Sequence, residues 1–534
     1  MASETEFLTD RHSIRAFFAT AVGPLTITQW TLVFTILGAL LRIPVIVGYS
    51  MFIDDGATLL AASLPMDKLI ANRLSMGHIP LFFMIFKLWE GIAGDNVVAL
   101  RIPSFLMSLA TVPLAALLCV PLRSARGALI AMGVAVFHGT LLRHAAELRM
   151  YSWMMVCGPL MVYLLMSALE RPRWWKFVTM GILHFFFLTL HVSAFLFSIS
   201  AFVGVLACAR RRSSAITGRT WLGVALAFAL PVAVILPMML SLKSNLRMEE
   251  YDKFTRMNPH RQLLSCFYEL VNGIGMGANQ WKQFIIGVAV PTLAVTLFAL
   301  RPGKKPEDQG GGAFSPTRVA AIYLIAGFAS PILAYVISIT YKPAIGFARY
   351  YVTGTPMLIA LFGASVAAIR WHAPMRVRAL TLAFLVALGI TAEMTFYRVR
   401  RIVMHEDTGL NALVQRLRSE APEGSVVIIA DQGATRRIVE VYLKEDIRRY
   451  KILPINSDWS EKGTLAELSR SANRERDLYM FFFRDEDPRV VNAVKKFYGG
   501  DPEVRIMEQG NSQYIHISPR KMVADVDENS STGK

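Results

Sequence analysis

Apolar stretches of about 17–22 residues recur from residue 27 to residue 396, divided by short polar turns. As α-helices each is long enough to cross about 30 Å of hydrocarbon. The pattern predicts spans over 27–48, 101–122, 128–143, 150–169, 174–190, 191–208, 220–241, 283–300, 319–340, 352–370 and 379–396. A further apolar stretch, 78–94, is interrupted by Pro80, Lys87 and Glu90 and followed by Asp95. That make-up suits a helix lying in the membrane interface better than one crossing it. The run 27–48 is too long for a signal-peptide core and no small-residue cleavage site follows it, so it is expected to remain as an anchor.

Past "FYRVRR" the period changes. Short runs at 425–431, 449–455, 477–483 and 513–517 read as strands, and 409–420, 433–445, 461–473 and 488–498 as amphipathic helices between them, which predicts a small α/β domain. The first strand ends "IIADQGAT", which a ligand loop could use, but one glycine there supports no more than a structural turn. The expected organisation is a cytoplasmic N-terminus over 1–26, a membrane domain over 27–400 whose first external loop (49–100) holds interfacial helices, an extracytoplasmic α/β domain over 401–520 and a disordered polar tail over 521–534. No internal repeat is seen.

Composition and charge sharpen this reading. The chain of 534 residues is 54% hydrophobic, well above a soluble globular protein, and its formal charge of +17 sits in short clusters between apolar runs rather than in a nucleic-acid-binding stripe. With 78–94 in the interface, one side collects Arg11 and Arg15, Arg123 and Arg126, "RPRWWK" (171–176), "RRR" (210–212) with Arg219, "RPGKK" (301–305) with Arg318, and "RWHAPMRVR" (370–378). The positive-inside rule makes that side the cytoplasm. About eleven spans follow, with the opposite face receiving 49–100, the turn at 144–149, His191, the loops 242–282 and 341–351, and everything beyond 397. Of the four cysteines, Cys119, Cys157 and Cys208 lie in apolar segments and Cys266 in a loop, so no extramembrane pair is available for a disulfide.

Candidate chemistry gathers on the external side. Asp54 and Asp55 follow the first span, in which Arg42 lies at hydrocarbon depth; an ionisable group there is a functional candidate by default. His78 opens the interfacial helix, Arg101 stands at the mouth of the second span, Glu147, Arg149 and Tyr151 occupy the next external turn, and Lys342, Arg349 and Tyr350 lie near a later one. Singly each has an ordinary structural use: an aspartate caps a helix, arginines anchor at headgroups, and Glu147 pairs with Arg149. External loops should be poor in Lys and Arg, however, and basic groups recurring at the outer ends of separate spans around an acid pair suit an anionic lipid headgroup. In such a site a carboxylate can take a proton from an attacking hydroxyl, above an interfacial shelf made by "ATLLAASLP" and 78–94.

These stretches together resemble the GT-C superfamily of integral-membrane glycosyltransferases, in the branch containing protein O-mannosyltransferases and lipid A aminoarabinose transferases. The resemblance lies in "IDDGATLLAASL" for the family's acid pair, "GHIPLFFMIFKLWEGIAGDNVVALRIPS" for its His-Pro-Pro-Leu to Arg-Leu-Pro-Ser region, "AAELRMYSW" for its Glu-Ala-Arg-Met-Tyr turn and "ARYYVTGTPML" for its late Arg-Tyr motif, in order across roughly 27–400. Two departures stand out: the second acid is Asp55 where the family usually has Glu, and His-Ile-Pro-Leu replaces His-Pro-Pro-Leu. The resemblance implies inverting transfer of a sugar from a polyprenyl-phosphate donor to a hydroxyl of an envelope lipid, glycan or protein, at the outer face of the cytoplasmic (inner) membrane. Asp54 and Asp55 would be the catalytic acids, with Arg42, His78, Arg101, Arg149, Lys342 and Arg349 binding the donor phosphate and Glu147, Tyr151 and Tyr350 supporting them. This reading makes no cofactor certain; two adjacent acids with Glu147 or His78 could hold a divalent metal, and metal dependence stays open. Competing classes are a lipid-linked sugar flippase or transporter, which would commonly show repeat symmetry, and a non-catalytic subunit of an envelope assembly.

Overall fold

The computed structural model describes residues 13–49, 51–209, 217–245, 258–272, 314–340, 348–368, 409–430, 433–443, 448–455, 461–472, 477–483, 488–498, 503–509 and 512–518. The chain divides into two compact units, one made of Met1–Tyr49 with Ala61–Met404 and the other of Ser50–Leu60 with His405–Lys534.

The larger unit is helical. Helix α1 (Ser13–Ala19) and a two-stranded ribbon, β1 (Ala21–Val22) and β2 (Leu25–Thr26), lead into α2 (Ile27–Gly48). Thr26 starts α2 with a capping box, its hydroxyl accepting from the Gln29 N–H while the Gln29 side chain accepts from the Thr26 N–H. Leu32, Ile36, Leu40, Ile43 and Val47 form an exposed apolar stripe at spacings of three and four. In water such a stripe would be costly; against lipid tails it is the expected outer face of a span. Helix α3 (Ile53–Ser63) carries the acid pair, and α4 (Met66–Ser75) and α5 (Leu81–Ala93) follow. At 13 residues α5 is only about 20 Å long, too short to cross by itself.

Beyond it run α6 (Val97–Cys119), α7 (Ala125–Phe137) and α8 (Gly139–Ala146), the last two bent by 48° at their junction, then α9 (Tyr151–Glu170), α10 (Trp174–Leu190), α11 (Ser193–Ala209) and α12 (Gly218–Asn245). Next come α13 (Pro259–Asn272), α14 (Pro316–Thr340), a 3-10 turn (Ala348–Gly354) and α15 (Thr355–Ala367). Among the described residues six helices are long and apolar enough to span, or seven if the bent pair is one crossing, with α10 and α11 as shorter apolar helices. The protein is a polytopic α-helical membrane protein. The predicted spans 283–300 and 379–396 lie outside the described residues. Helix α13 was not foreseen: its stretch lies in the expected loop 242–282, yet it is amphipathic and buries Cys266, Tyr268 and Glu269.

Small residues let the inner helices close up. A Cβ added to Gly363 of α15 would lie 2.4 Å from the Gly127 carbonyl oxygen of α7, and one added to Gly354 2.5 Å from the Gly327 Cα of α14. Backbones in direct contact are a usual way for membrane helices to gain packing where no hydrophobic drive exists between them.

The second unit contains α16 (Gly409–Glu420), β3 (Val426–Ala430), α17 (Gly433–Leu443), β4 (Lys451–Ile455), α18 (Glu461–Ser471), β5 (Leu478–Phe483), α19 (Pro488–Tyr498), β6 (Glu503–Gln509) and β7 (Ser512–Ser518). Its sheet has the order β4-β3-β5-β7-β6, with β3 parallel to β4 and β5, and β7 antiparallel to β5 and β6. Val426, Ile428, Leu478, Met480, Ile515 and Ile517 share a core with Leu468 of α18 and Val494 and Phe497 of α19. Val427 and Ile429 point the other way and are buried too, so the interior strand β3 is apolar without alternation. Strand β6 is absent from the sequence expectation: as an edge strand it alternates Val504 and Ile506 with Glu503 and Arg505, a weaker signal than the apolar runs of β3 and β5.

Candidate functional site

The larger unit gathers five chain segments around two histidines, His191 buried and His78 partly buried. They are the C-terminal end of α4 (Arg73), the turn before α5 (His78), the link between α8 and α9 (Glu147, Arg149, Tyr151), the link between α10 and α11 (His191) and the 3-10 turn before α15 (Arg349, Tyr350). The His78 and His191 rings lie 6.3 Å apart, His191 is 4.6 Å from the Tyr350 ring, and Tyr151 is 6.3 Å from His191 and 6.2 Å from Tyr350. The Arg73 guanidinium lies 5.0 Å and that of Arg149 5.9 Å from the centre of the Phe83 ring, while that of Arg349 is 5.9 Å from the Tyr350 ring. All three arginines are buried.

The 3-10 turn is held where it is by local bonds. Ser193 Oγ donates to the Tyr350 carbonyl at 2.6 Å and meets His191 Nδ1 at 2.8 Å, fastening the turn to the head of α11. Gly354 ends the turn against Gly327, so a methyl group there must push the Arg349 turn off α14. Gly354→Ala is expected to cost about 1–3 kcal/mol of stability by overpacking, read as a lowered thermal unfolding midpoint of the purified protein.

The charge of this site is one-sided. Burial first, then the nearby Arg149, holds the His78 imidazole well below its ordinary value, and Arg73 and Arg349 act in the same direction. Burial, with Arg149 and Arg349, pushes His191 down to about 3. Both rings are therefore neutral at physiological pH, and the fixed charge is that of the guanidiniums. The nearest acid is engaged: Glu147 accepts from Arg143 Nε at 2.7 Å and meets His144 Nδ1 at 2.7 Å. Burial raises its pKa, but Arg143 and His144 outweigh burial and keep the carboxyl ionised, well below the usual carboxylate range. The Glu269 carboxyl, 4.0 Å from Arg143, is shifted the other way, chiefly by burial. A buried positive centre with neutral imidazoles beside it is suited to an anion. It opposes a cation, and among the described residues no group of three or more His, Cys, Asp and Glu side chains is placed to hold a metal.

The other sequence candidates are placed differently. Arg42 is fully buried within the helices and bonded to protein: Nε donates to Ser108 Oγ at 2.9 Å, Nη1 to the Gly38 carbonyl at 3.1 Å and Nη2 to the Ala135 carbonyl at 3.1 Å. Arg101, also fully buried, donates from Nη1 to the Ile46 carbonyl at 2.7 Å and lies 5.8 Å from the Tyr49 ring; among the described residues its Nε and Nη2 have no hydrogen-bond partner. Lys342 lies outside the described residues. The structural alternative of Glu147 pairing with Arg149 gives way to Arg143 one turn earlier on α8, where the (i, i+4) spacing brings the groups together.

In the second unit, Asp54 and Asp55 both occupy the first turn of α3, where negative charge favours the helix dipole. Asp55 is completely buried, and its Oδ2 accepts from the Phe52 N–H at 2.9 Å. It therefore satisfies the start of the helix from inside it, as the third helical residue reaching back, rather than as the preceding cap. Asp54 is only partly buried.

Sequence reasoning missed Arg73, Arg143 and Glu269. Arg73 stands five residues before His78 in "NRLSMGHIPL". Its signal was the one arginine of a short helix expected to lie in the interface, with nothing in the sequence to aim it at Phe83.

No protein-family model matches this chain, and no curated protein matches its sequence. Its fold does match solved structures. The crystal structure of ArnT from Cupriavidus metallidurans in the apo state aligns with a TM-score of 0.53 at 11% identity, covering 92% of this chain and 98% of that one. The structure of the same protein bound to undecaprenyl phosphate aligns with the same values. The chain thus shares its fold with these two structures of ArnT.

Proposed function

We propose that this protein is an inverting glycosyltransferase that moves a sugar from a polyprenyl-phosphate donor to a hydroxyl group of an envelope lipid, glycan or protein, at the outer face of the inner membrane. The observation that carries the reading is the buried group of Arg73, Arg149 and Arg349 around the neutral His78 and His191. Guanidiniums present planar, permanently charged donors matched to phosphate oxygens. The fold of ArnT, a protein whose structure has been determined with undecaprenyl phosphate, gives that anion a lipid tail.

The division of labour follows from the chemistry. The acceptor oxygen bonds to the anomeric carbon as the bond from that carbon to the phosphate oxygen breaks, its electron pair leaving with the phosphate. The arginines neutralise the charge gathering on the leaving phosphate. A carboxylate on the opposite side of the sugar takes the acceptor's proton, as inversion requires. We assign that base to Asp54, because Asp55 already serves the Phe52 N–H. Arg101, whose Nε and Nη2 meet no acceptor among the described residues, is assigned to the donor's phosphate or its sugar hydroxyls; Tyr151, Tyr350 and Glu147 support the arginines. Lys342 keeps its phosphate assignment from the motif alone. Arg42 is assigned a structural role, because protein oxygens already take its donors.

The test is mass spectrometry of lipid co-purifying with the protein. A polyprenyl phosphate or its sugar ester is expected in the parent and reduced in Arg149→Ala; its absence from the parent under mild detergent would count against the reading. The sidedness is tested separately. With cysteines placed at the exposed Arg126 and Glu423, an impermeant maleimide added to spheroplasts should label only position 423, the unsubstituted protein serving as blank. Labelling at 126 alone would invert the topology.

A further inference from the structure

The α3 segment is continuous in sequence with the membrane helices, yet Ser50–Leu60 groups with the C-terminal α/β residues rather than with Tyr49 before it or Ala61 after it. The boundary cuts through a single helix, so something in the α/β domain must hold its first turns. Tyr442, in the last turn of α17, does so directly: its hydroxyl oxygen accepts a hydrogen bond from the buried Met51 N–H at 2.7 Å. Arg418 of α16 fixes Tyr442 in turn, with Nη2 donating to the Tyr442 carbonyl at 2.7 Å and to the Leu443 carbonyl at 3.2 Å. A cation on the last carbonyls of a helix is favourable for both hydrogen bonding and the dipole.

Two adjacent amides leading into α3 are thus fastened by different means. Phe52 is capped from within by Asp55 Oδ2, and Met51 is held from the α/β domain by Tyr442. Thr58 Oγ1 donates to the Asp54 carbonyl at 3.1 Å, tying the next turn to the same residue. With the backbone on either side of Ile53 fixed, the carboxylate of Asp54 has little freedom except its own rotamer.

We propose that Tyr442 is a positioning residue for Asp54: the α/β domain holds the entry to α3, and with it the base, in the place that proton transfer requires. The inference rests on the assignment of Asp54 as base. It gives the C-terminal domain a part in the reaction without placing any of its side chains on substrate. The cost of releasing the clamp follows from geometry, since a displacement of about 1 Å at a reacting group can lower a rate by roughly a hundredfold, and a partial release by less.

The test compares the full-length protein with Tyr442→Phe, which removes only the hydroxyl, and Arg418→Gln, which loosens its support. Tyr479→Phe removes a different hydroxyl of the same domain, one that donates to the Glu420 carbonyl at 3.4 Å, and serves as control. Hydrogen exchange of the peptide spanning 51–60 should quicken by about fivefold in Tyr442→Phe, the size of one lost neutral hydrogen bond, and remain at the parental rate in Tyr479→Phe. Binding of undecaprenyl phosphate should be unchanged. Transfer from a titrated polyprenyl-phosphate sugar donor should show a kcat lowered about five- to tenfold with the donor KM retained, a split that general loosening of the fold would not give. Unchanged exchange at 51–60 overturns the clamp. Faster exchange with parental kcat, where Asp54→Asn is inactive, overturns the positioning role and leaves the base assignment standing. An active Asp54→Asn sinks the base assignment and the proposal with it.

Discussion

Asp54→Asn is expected to reduce sugar transfer by roughly 10²–10⁴-fold, the usual loss with a general base, while undecaprenyl phosphate still binds. The substitution keeps the shape and helix-start chemistry of the side chain and removes only its ability to take a proton. Asp55→Asn supplies the contrast. Its Oδ2 accepts from the Phe52 N–H, a task that the asparagine carbonyl performs as well, so transfer should fall far less than in Asp54→Asn. Asp55→Leu, which cannot accept that bond, should loosen the start of α3 by about 1 kcal/mol. Transfer is measured at equal membrane abundance with lipid binding checked on the same samples. A dead Asp55→Asn beside an active Asp54→Asn would reverse the two roles; activity in both would remove the acid pair from the chemistry.

The second large effect is expected at the arginines. Arg149→Ala and Arg349→Ala each remove a buried fixed charge from around His78 and His191. A charge-assisted contact is worth about 1.5–3 kcal/mol, so affinity for undecaprenyl phosphate should fall roughly tenfold to a hundredfold in each variant. Lysine at either position should recover part of the loss, because it restores charge without the planar fork. Arg73→Ala should behave like them, which sequence alone gave no reason to expect. Arg42→Ala should instead lower stability with little change in the lipid affinity of the folded fraction, since its donors go to Ser108 and to carbonyls of Gly38 and Ala135. Titration of each variant with undecaprenyl phosphate, followed by native mass spectrometry, separates the two patterns. Parental affinity in both Arg149→Ala and Arg349→Ala would mark them as anchors of the fold.

The architecture was legible in the sequence because hydrocarbon imposes a simple rule. A chain in lipid must satisfy its backbone internally, so spans appear as apolar runs of fixed length, and the six long apolar helices among the described residues fall on such runs. The α/β domain was legible for a related reason: its central strands are covered on both faces and read as uninterrupted apolar stretches, whereas the edge strand β6, half charged, went unread. The resemblance to GT-C enzymes was carried by short motifs in order, and the match to ArnT at 11% identity lies in backbone geometry, where little sequence similarity remains.

What a side chain does with its charge was decided only in three dimensions. Arg42 lies within an apolar run and Arg149 just before one, and along the chain neither shows which groups its cation will meet. Folding gives Arg42 carbonyls from α2 and α7 and brings Arg149 to Phe83 beside His78 and His191, because the packing of the helices sets which neighbours each guanidinium can reach. Glu147 likewise had two arginines in range, and the turn of α8 selected Arg143. The sequence by itself determined a polytopic helical fold and the set of ionisable residues from which a site could be built. Tertiary structure chose among them, since pairing depends on distances of a few ångströms between residues far apart in the chain, and those distances are set by the packing of helices whose own sequences record only how apolar they are.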